Sequence, residues 1–285
     1  MVRLVTFGAW LGAAVLLASY AGALHPIGDS FAVFRAQIAT GTLLLAVLVL
    51  RRTWAATVPG LLALGALALL ALPHLTPQEP GPITVYQKNM LWNNEDWDLL
   101  AADIRDAAPD ALILQEMTDP NFRVVELVAD ILPNVVRCDG RGGAVGGTLI
   151  ATRLEVVEGS ETCRSTAAAV RVRTDGGEVT LAGVHLQWPW PYGQDWHLRQ
   201  VVPLLETLDR PVILTGDLNS AAWSHAAAIL SDAVGSHPIL PPVPSFDLFP
   251  LVTVSIDHVF AASGTLERRP LAGSDHYGVL ARVTP

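Results

Sequence analysis

Val212-Ile213-Leu214-Thr215-Gly216-Asp217-Leu218-Asn219 is the stretch on which the reading of this chain turns. An apolar β-prone run leads as a buried strand into a glycine, which lets the backbone turn sharply before two polar residues. Asp217 and Asn219 are two apart, so in an extended segment both side chains face the same way. A carboxylate and an amide on one face are suited to hold a nucleophilic water and a phosphoryl oxygen. Four more polar clusters occur along the last two-thirds of the chain: Gln115-Glu116, Val184-His185-Leu186, Ile256-Asp257-His258 and Ser274-Asp275-His276. Most follow a β-prone apolar run. Several strand ends converging on one place is how a sheet builds a metal-dependent hydrolytic site.

Each cluster has a specific chemical use. Glu116 follows Ala111-Leu112-Ile113-Leu114, where a carboxylate is costly unless paired or bound to a cation. A hard ion such as Mg²⁺ wants oxygen ligands and takes one or two carboxylates while keeping water and substrate phosphate. Asp257 lies upstream of Ser274-Asp275-His276, and a carboxylate behind an imidazole fixes its tautomer and stabilises its charged form. His185 ends a separate strand and is placed to act on the opposite side of a phosphorus centre. His258 adjoins Asp257 but points to the other face. Asn89, after the first strand, either orients the Glu116 carboxylate or helps hold the ion. Arg153 follows the strand Thr148–Thr152 and is a candidate phosphate contact. Trp188, Trp190 and Tyr192 follow His185 as candidate pocket walls, Trp190 as a substrate contact. His25, His74, His197, His225 and His237 have no such setting.

Strand and helix signals alternate through this region. Strands are expected at 83–86, 110–114, 146–151, 167–172, 179–184, 212–214, 252–260 and 277–283, and helices at 96–108, 121–132 and 195–208. Asp175-Gly176-Gly177 reads as a hairpin turn. Mixed strands with helices between them indicate a layered α/β domain over residues 83–285.

The first quarter is different. Residues 4–24, 31–50 and 54–75 are apolar runs of roughly membrane length, separated by His25–Ser30 and Arg51-Arg52. Three transmembrane helices are expected, with 76–82 as a Pro- and Gly-containing linker. Arg3, Arg51 and Arg52 belong on the cytoplasmic side by the positive-inside rule, which puts the remaining chain outside the cytoplasm. There Cys138 and Cys163 either pair as a disulfide or remain two thiols. Of 18 basic and 27 acidic residues, 14 and 26 lie beyond residue 75, a net charge of about -12. Lys88 is the only lysine. A long polyanion groove needs clustered Lys and Arg and is not evident.

Asn89, Gln115-Glu116, His185, Gly216-Asp217-x-Asn219, Asp257 and Ser274-Asp275-His276, in this order, resemble the endonuclease/exonuclease/phosphatase superfamily, of the bacterial membrane-anchored type. The resemblance covers about residues 83–283. It implies a four-layer α/β sandwich like that of deoxyribonuclease I and a Mg²⁺- or Mn²⁺-dependent phosphoester hydrolase. It matches Glu116 and Asn89 to the metal site, with Asp275 as a second metal-proximal acid. Asp217 and Asn219 match the residues that position water and phosphate, His276 with Asp257 the histidine–carboxylate pair, and His185 the second histidine of the deoxyribonuclease-like branch. That branch backs this histidine with a glutamate, for which Gly142–Thr152 offers no candidate.

The expectation is therefore a multi-pass membrane protein with an extracytoplasmic hydrolase domain. Its substrate is a nucleic acid, a phospholipid or a small phosphodiester, and no protein partner is implied. Nuclease activity is the default that the resemblance implies; a phospholipid, as for a sphingomyelinase, or a small phosphodiester agrees better with the acidic surface and the tether. The rival class is a non-catalytic membrane protein whose domain binds a ligand.

Overall fold

The structure is a computed structural model and describes residues 1–139, 146–250 and 252–285. Part of the Gly142–Thr152 stretch, residues 142–145, thus lies outside the described residues. In chain order the elements are α1 (Val2–Ala18), α2 (Ile27–Val33), α3 (Arg35–Leu50), α4 (Thr57–Leu75), β1 (Ile83–Asn89), α5 (Trp97–Ala107), β2 (Ala111–Met117), α6 (Phe122–Val128), β3 (Asn134–Cys138), β4 (Gly147–Thr152), β5 (Glu155–Val156), β6 (Thr162–Arg164), β7 (Ala167–Thr174), β8 (Gly177–His185), α7 (Gln194–Leu205), β9 (Val212–Asp217), α8 (His225–Val234), β10 (His237–Pro238), β11 (Phe246–Phe249), β12 (Val252–Val254), β13 (Asp257–Ala261), β14 (Ser263–Arg269) and β15 (Gly278–Thr284).

Two sheets stack face to face. One has the order β14-β15-β1-β2-β4-β3, the other β10-β13-β9-β8-β7-β5, with β6 added to β7. Alternation along the strands decides what goes between them. Val85, Ile113, Ile150, Val170, Leu181, Ile213 and Val259 fill the space between the sheets. Their strand neighbours Leu112, Leu114 and Leu149 pack under α5 and α6, and Ala182, Val184 and Leu214 under α7 and α8. The result is the four-layer α/β sandwich. Gly183 sits where the sheets approach closely, and a Cβ there would come within 2.6 Å of Ile113 Cγ2.

The topology gathers the polar strand ends at one edge. β1 runs parallel to β2, pairing Asn89 with Gln115. β8 runs parallel to β9, pairing His185 with Asp217, and β13 starts antiparallel to β9 with Asp257 opposite Asp217. The expected strand 252–260 is two strands, because the chain turns at Ser255-Ile256 between β12 and β13.

The N-terminal quarter departs from three simple spans. Trp54–Leu75 is long and apolar enough to cross a membrane. The expected span 31–50 is instead α2 and α3, which meet at a 74° bend. α1 has 17 residues and stops at Ala18, short of the expected Leu24. The break at Phe34 precedes Arg35, whose guanidinium is buried, donates to Ser19 and lies 3.8 Å from the Tyr20 ring centre. Holding that charge inside the bundle turns the chain away from a straight span. Small residues (Ala9, Ala13, Ala39, Ala46, Ala63, Ala66) face one another between the helices, while Leu4, Leu11, Leu44, Leu48, Leu61, Leu64 and Leu72 face outward.

Candidate functional site

Asp217 occupies the centre of the strand-end edge. Gly216 brings the β9 backbone against β8 so closely that a Cβ would lie 1.8 Å from Val184 O, and this puts Asp217 beside His185. Asp217 is buried. Its Oδ1 accepts from Asn219 N at 2.8 Å and its Oδ2 from Asn89 Nδ2 at 3.0 Å. His185 Nε2 and His276 Nε2 flank Oδ2 at 3.6 and 3.7 Å. Burial pushes the Asp217 carboxyl up to about 7, against the pull of His276. Burial also lowers the pKa of His185, so the two imidazoles differ: His185 favours the neutral form.

His276 favours the charged form. Its Nδ1 lies 2.8 Å from Asp257 Oδ2. Burial opposes the charge, but the carboxylates of Asp257, Asp217 and Asp275 together raise its pKa to about 10. Asp257 is held in turn by Gln87 Nε2 at 2.7 Å and by its own N–H bond to Ser245 Oγ. His258 points away, with Nε2 2.8 Å from Ser220 O.

Glu116 enters from the other sheet. A register shift between Leu114 and Met117 re-aims it out of the β2–β4 ladder, and its φ of 55° is left-handed. Asn219 shares that region at 49°. Such conformations in non-glycine residues are retained where the surroundings over-determine them. Glu116 Oε1 accepts from Asn89 Nδ2 at 3.1 Å and Oε2 from Trp92 N at 3.0 Å. Asn89 Oδ1 is itself tied to Leu91 N, which turns the NH₂ toward both carboxylates. Asn89 thus bridges Glu116 to Asp217. His185 Nε2 lies 3.9 Å from Glu116 Oε1. Glu116 thus stands near the histidine for which the local sequence offered no glutamate. Asn219 Nδ2 donates to Leu186 O at 2.8 Å and approaches Asp217 Oδ2 at 3.4 Å, so its amide braces Asp217.

Glu116, Asp217, Asn219, Asp275 and His276 line one cleft of about 470 Å³, walled by Trp188, Tyr192, Phe246 and Leu248. The Phe246 ring lies 4.8 Å from that of His276. Trp190 is on the adjacent loop, half exposed, and does not line the cleft. Arg153 is at the wrong end of the molecule. β4 runs antiparallel to β2, so the residue after β4 meets the start of β2, and Arg153 pairs with Asp110 at 2.6 Å.

The donor set fits a hard cation. Glu116, Asp217 and Asp275 face the cleft, and charged His276 offsets only part of their charge. Ligand atoms of Asp217, Asp257 and His276 also come within 4.8 Å of one another. Asp257 and His276, however, are bonded to each other. Glu116 and Asp275, at the open side, leave room for the waters that a Mg²⁺-sized ion keeps.

Two supporting residues, Gln87 and Lys88, carried no functional signal in the sequence. Gln87 links the sheets by donating to both Gln115 Oε1 and Asp257 Oδ1. Lys88, on the opposite face of β1, is fully buried and donates to Pro270 O, Leu271 O and His276 O at 3.1, 2.6 and 2.5 Å. It anchors the loop that carries Ser274-Asp275-His276, helped by the Ser274 Oγ bond to Asn89 O. Burial lowers the Lys88 pKa to about 8 despite nearby acids. The signal available was a polar run directly continuing a buried strand.

A buried carboxylate between two imidazoles, on the edge of a four-layer sandwich, defines a deoxyribonuclease I-like fold. Residues 89–276 match the Endonuclease/Exonuclease/phosphatase family, and the chain belongs to it. Solved structures agree on the fold. An endonuclease/exonuclease/phosphatase family protein from Leptotrichia buccalis superposes with a TM-score of 0.57 at 14% identity, covering 71% of this chain and 100% of that one. Sphingomyelinase C from Streptomyces griseocarneus gives 0.51 at 18%, covering 73% and 100%. Beta toxin from Staphylococcus aureus, with bound magnesium ions, gives 0.54 at 12%, covering 71% and 99%. No curated protein matches the chain in sequence.

Proposed function

We propose that this protein is a membrane-anchored phosphodiesterase, dependent on Mg²⁺ or Mn²⁺, whose catalytic domain lies outside the cytoplasm. The observation that carries the reading is Asp217: a buried carboxylate raised to about 7, between a neutral and a charged imidazole. A group with that pKa accepts a proton from water near neutral pH. Asn89 and Asn219 fix its two oxygens where the residue meets the cleft. His276, kept protonated by Asp257, offsets the negative charge that grows on the phosphoryl oxygens and has a proton to give to the leaving oxygen. His185 stands beside Asp217 and Glu116 on the other flank. Glu116 and Asp275 would hold the ion, which when bound supplies further charge neutralisation at phosphorus.

Anchoring is supported by the outward leucines and inward small residues of α1, α3 and α4, the arrangement of helices packed in lipid. Arg3 and Arg51-Arg52 lie at one end of the bundle, where Val2 and Val5 meet Val49 and Ala56. That agrees with a cytoplasmic end opposite the hydrolase domain.

Replacing Asp217 with Asn, or His276 with Ala, in the purified full chain is expected to remove Mg²⁺-dependent hydrolysis of a soluble chromogenic phosphodiester while the domain stays folded, as circular dichroism would show. Full activity in either variant discards the assignment. Calorimetry showing no Mg²⁺ or Mn²⁺ binding would instead favour a non-catalytic ligand-binding domain.

A further inference from the structure

The bent segment between α1 and α3 does more than turn the chain. Asp29 is buried, and its Oδ1 and Oδ2 accept from His225 N and Ala226 N at 2.8 and 2.9 Å, at the start of α8. A carboxylate there meets the positive end of a helix. Ser30 Oγ donates to Trp190 O at 2.7 Å, and Trp223 Nε1 donates to Ala32 O at 2.9 Å. Val33 packs with Val254 and Ile256, and Phe34 and Trp188 join the same cluster. The loops so held are those that follow His185, follow Asn219 and precede Asp257. One anchor segment of six residues, 29–34, therefore grips three catalytic loops at once.

A second observation points the same way. Among the described residues, most large apolar side chains exposed on the α/β domain are aromatic; Trp92, Trp190 and Tyr192 lie on loops that follow the site residues Asn89 and His185, and Phe249 ends β11. Trp92 follows β1 and its N–H caps Glu116. Tyr192 lines the cleft, and Phe249 ends the strand that carries Phe246 and Leu248. Exposed aromatics of this kind settle at the lipid–water interface.

We infer that residues 29–34 dock the hydrolase domain onto its own anchor with the cleft at the bilayer surface, so that its substrate is the phosphoester headgroup of a membrane lipid. This rests on the hydrolase reading above. The acidic surface and the burial of the only lysine argue against a polynucleotide as the occupant.

The test uses full-length protein in phosphatidylcholine vesicles with Mg²⁺. Headgroup release is measured beside hydrolysis of soluble bis-nitrophenyl phosphate and of plasmid DNA. The parent is expected to act on the vesicle lipid faster than on DNA. Asp29→Ala is expected to lower lipid hydrolysis about tenfold, while soluble-ester hydrolysis changes less than about twofold. Trp223→Phe, which removes only the bond to Ala32, should give a smaller loss of the same selectivity. Deuterium exchange at residues 222–227 should rise in both variants. Equal loss on both substrates in both variants, or no loss on lipid, overturns the docking. A parent that cleaves the soluble ester or DNA but not the lipid overturns the substrate class and leaves the hydrolase reading standing. A parent inactive on all three overturns the hydrolase reading itself.

Discussion

His276 stays charged because three carboxylates outweigh its burial, and that balance is measurable. In chelator-treated protein its imidazole is expected to titrate near 10 by NMR, and Asp257→Asn should bring it down sharply. The sign for stability follows. A histidine raised in the folded state contributes stability fully present below its unfolded pKa of about 6.5, and lost as pH rises through about 10. The parent should therefore lose stability relative to Asp257→Asn over that window, and a parallel pH dependence would refute the pairing. Lys88 makes a different kind of contribution. Its ammonium meets three backbone carbonyls, so Lys88→Met leaves buried acceptors unsatisfied at about 1–3 kcal/mol each. We expect a stability loss of about 3 kcal/mol and a kcat reduced on the order of tenfold through the displaced His276 loop. An unchanged kcat would show that the loop holds its place without the lysine.

At the scale of elements, the register between β8 and β9 sets the distance from His185 to Asp217, and Gly216 sets the register. Gly216→Ala forces a Cβ into Val184 O, and should cost about 3 kcal/mol in chemical denaturation while removing activity. A variant as stable as the parent would mean that the strands can separate without harm. The same strands show what sequence could and could not reveal. Asp217, Glu116, His185, Asp257 and His276 are legible as a group because acids and imidazoles recur at successive strand ends, although each alone reads equally well as an ordinary strand-end residue, and the fold does bring them together. The apolar pattern ends β1 at Tyr86, since Gln87, Lys88 and Asn89 are polar. The strand in fact continues to Asn89, because each of these side chains finds a buried partner. Local pattern carries no information on such partners, which come from residues up to 188 positions away. Arg153 misled for a related reason: strand direction, which decides the end at which a residue emerges, is a property of the sheet. The bend at Phe34 was likewise hidden, since hydropathy measures how apolar a run is and not which way it points.

For the molecule as a whole, covalent and ionic links hold together parts that hydrophobic burial alone would leave at the margins. Cys138 and Cys163 are bonded, with Cα atoms 5.5 Å apart, joining β3 at the edge of one sheet to β6 beside the other. Closing a loop of 25 residues is worth about 3 kcal/mol by the chain-entropy argument, so reduction should lower the unfolding midpoint by several degrees. The ionic link is the proposed cation. Glu116, Asp217 and Asp275 repel one another across the cleft, inside a domain whose net charge is already about -12. An ion that binds only the folded state stabilises it by mass action, by about 2.7 kcal/mol at a hundredfold excess over its Kd. The unfolding midpoint of the full chain should therefore climb with Mg²⁺ concentration and return to its starting value on chelation. Glu116→Gln keeps the shape and removes one charge, and should abolish most of that rise. Should the midpoint climb equally in the variant, the ion is held elsewhere, and Glu116 serves only to orient His185.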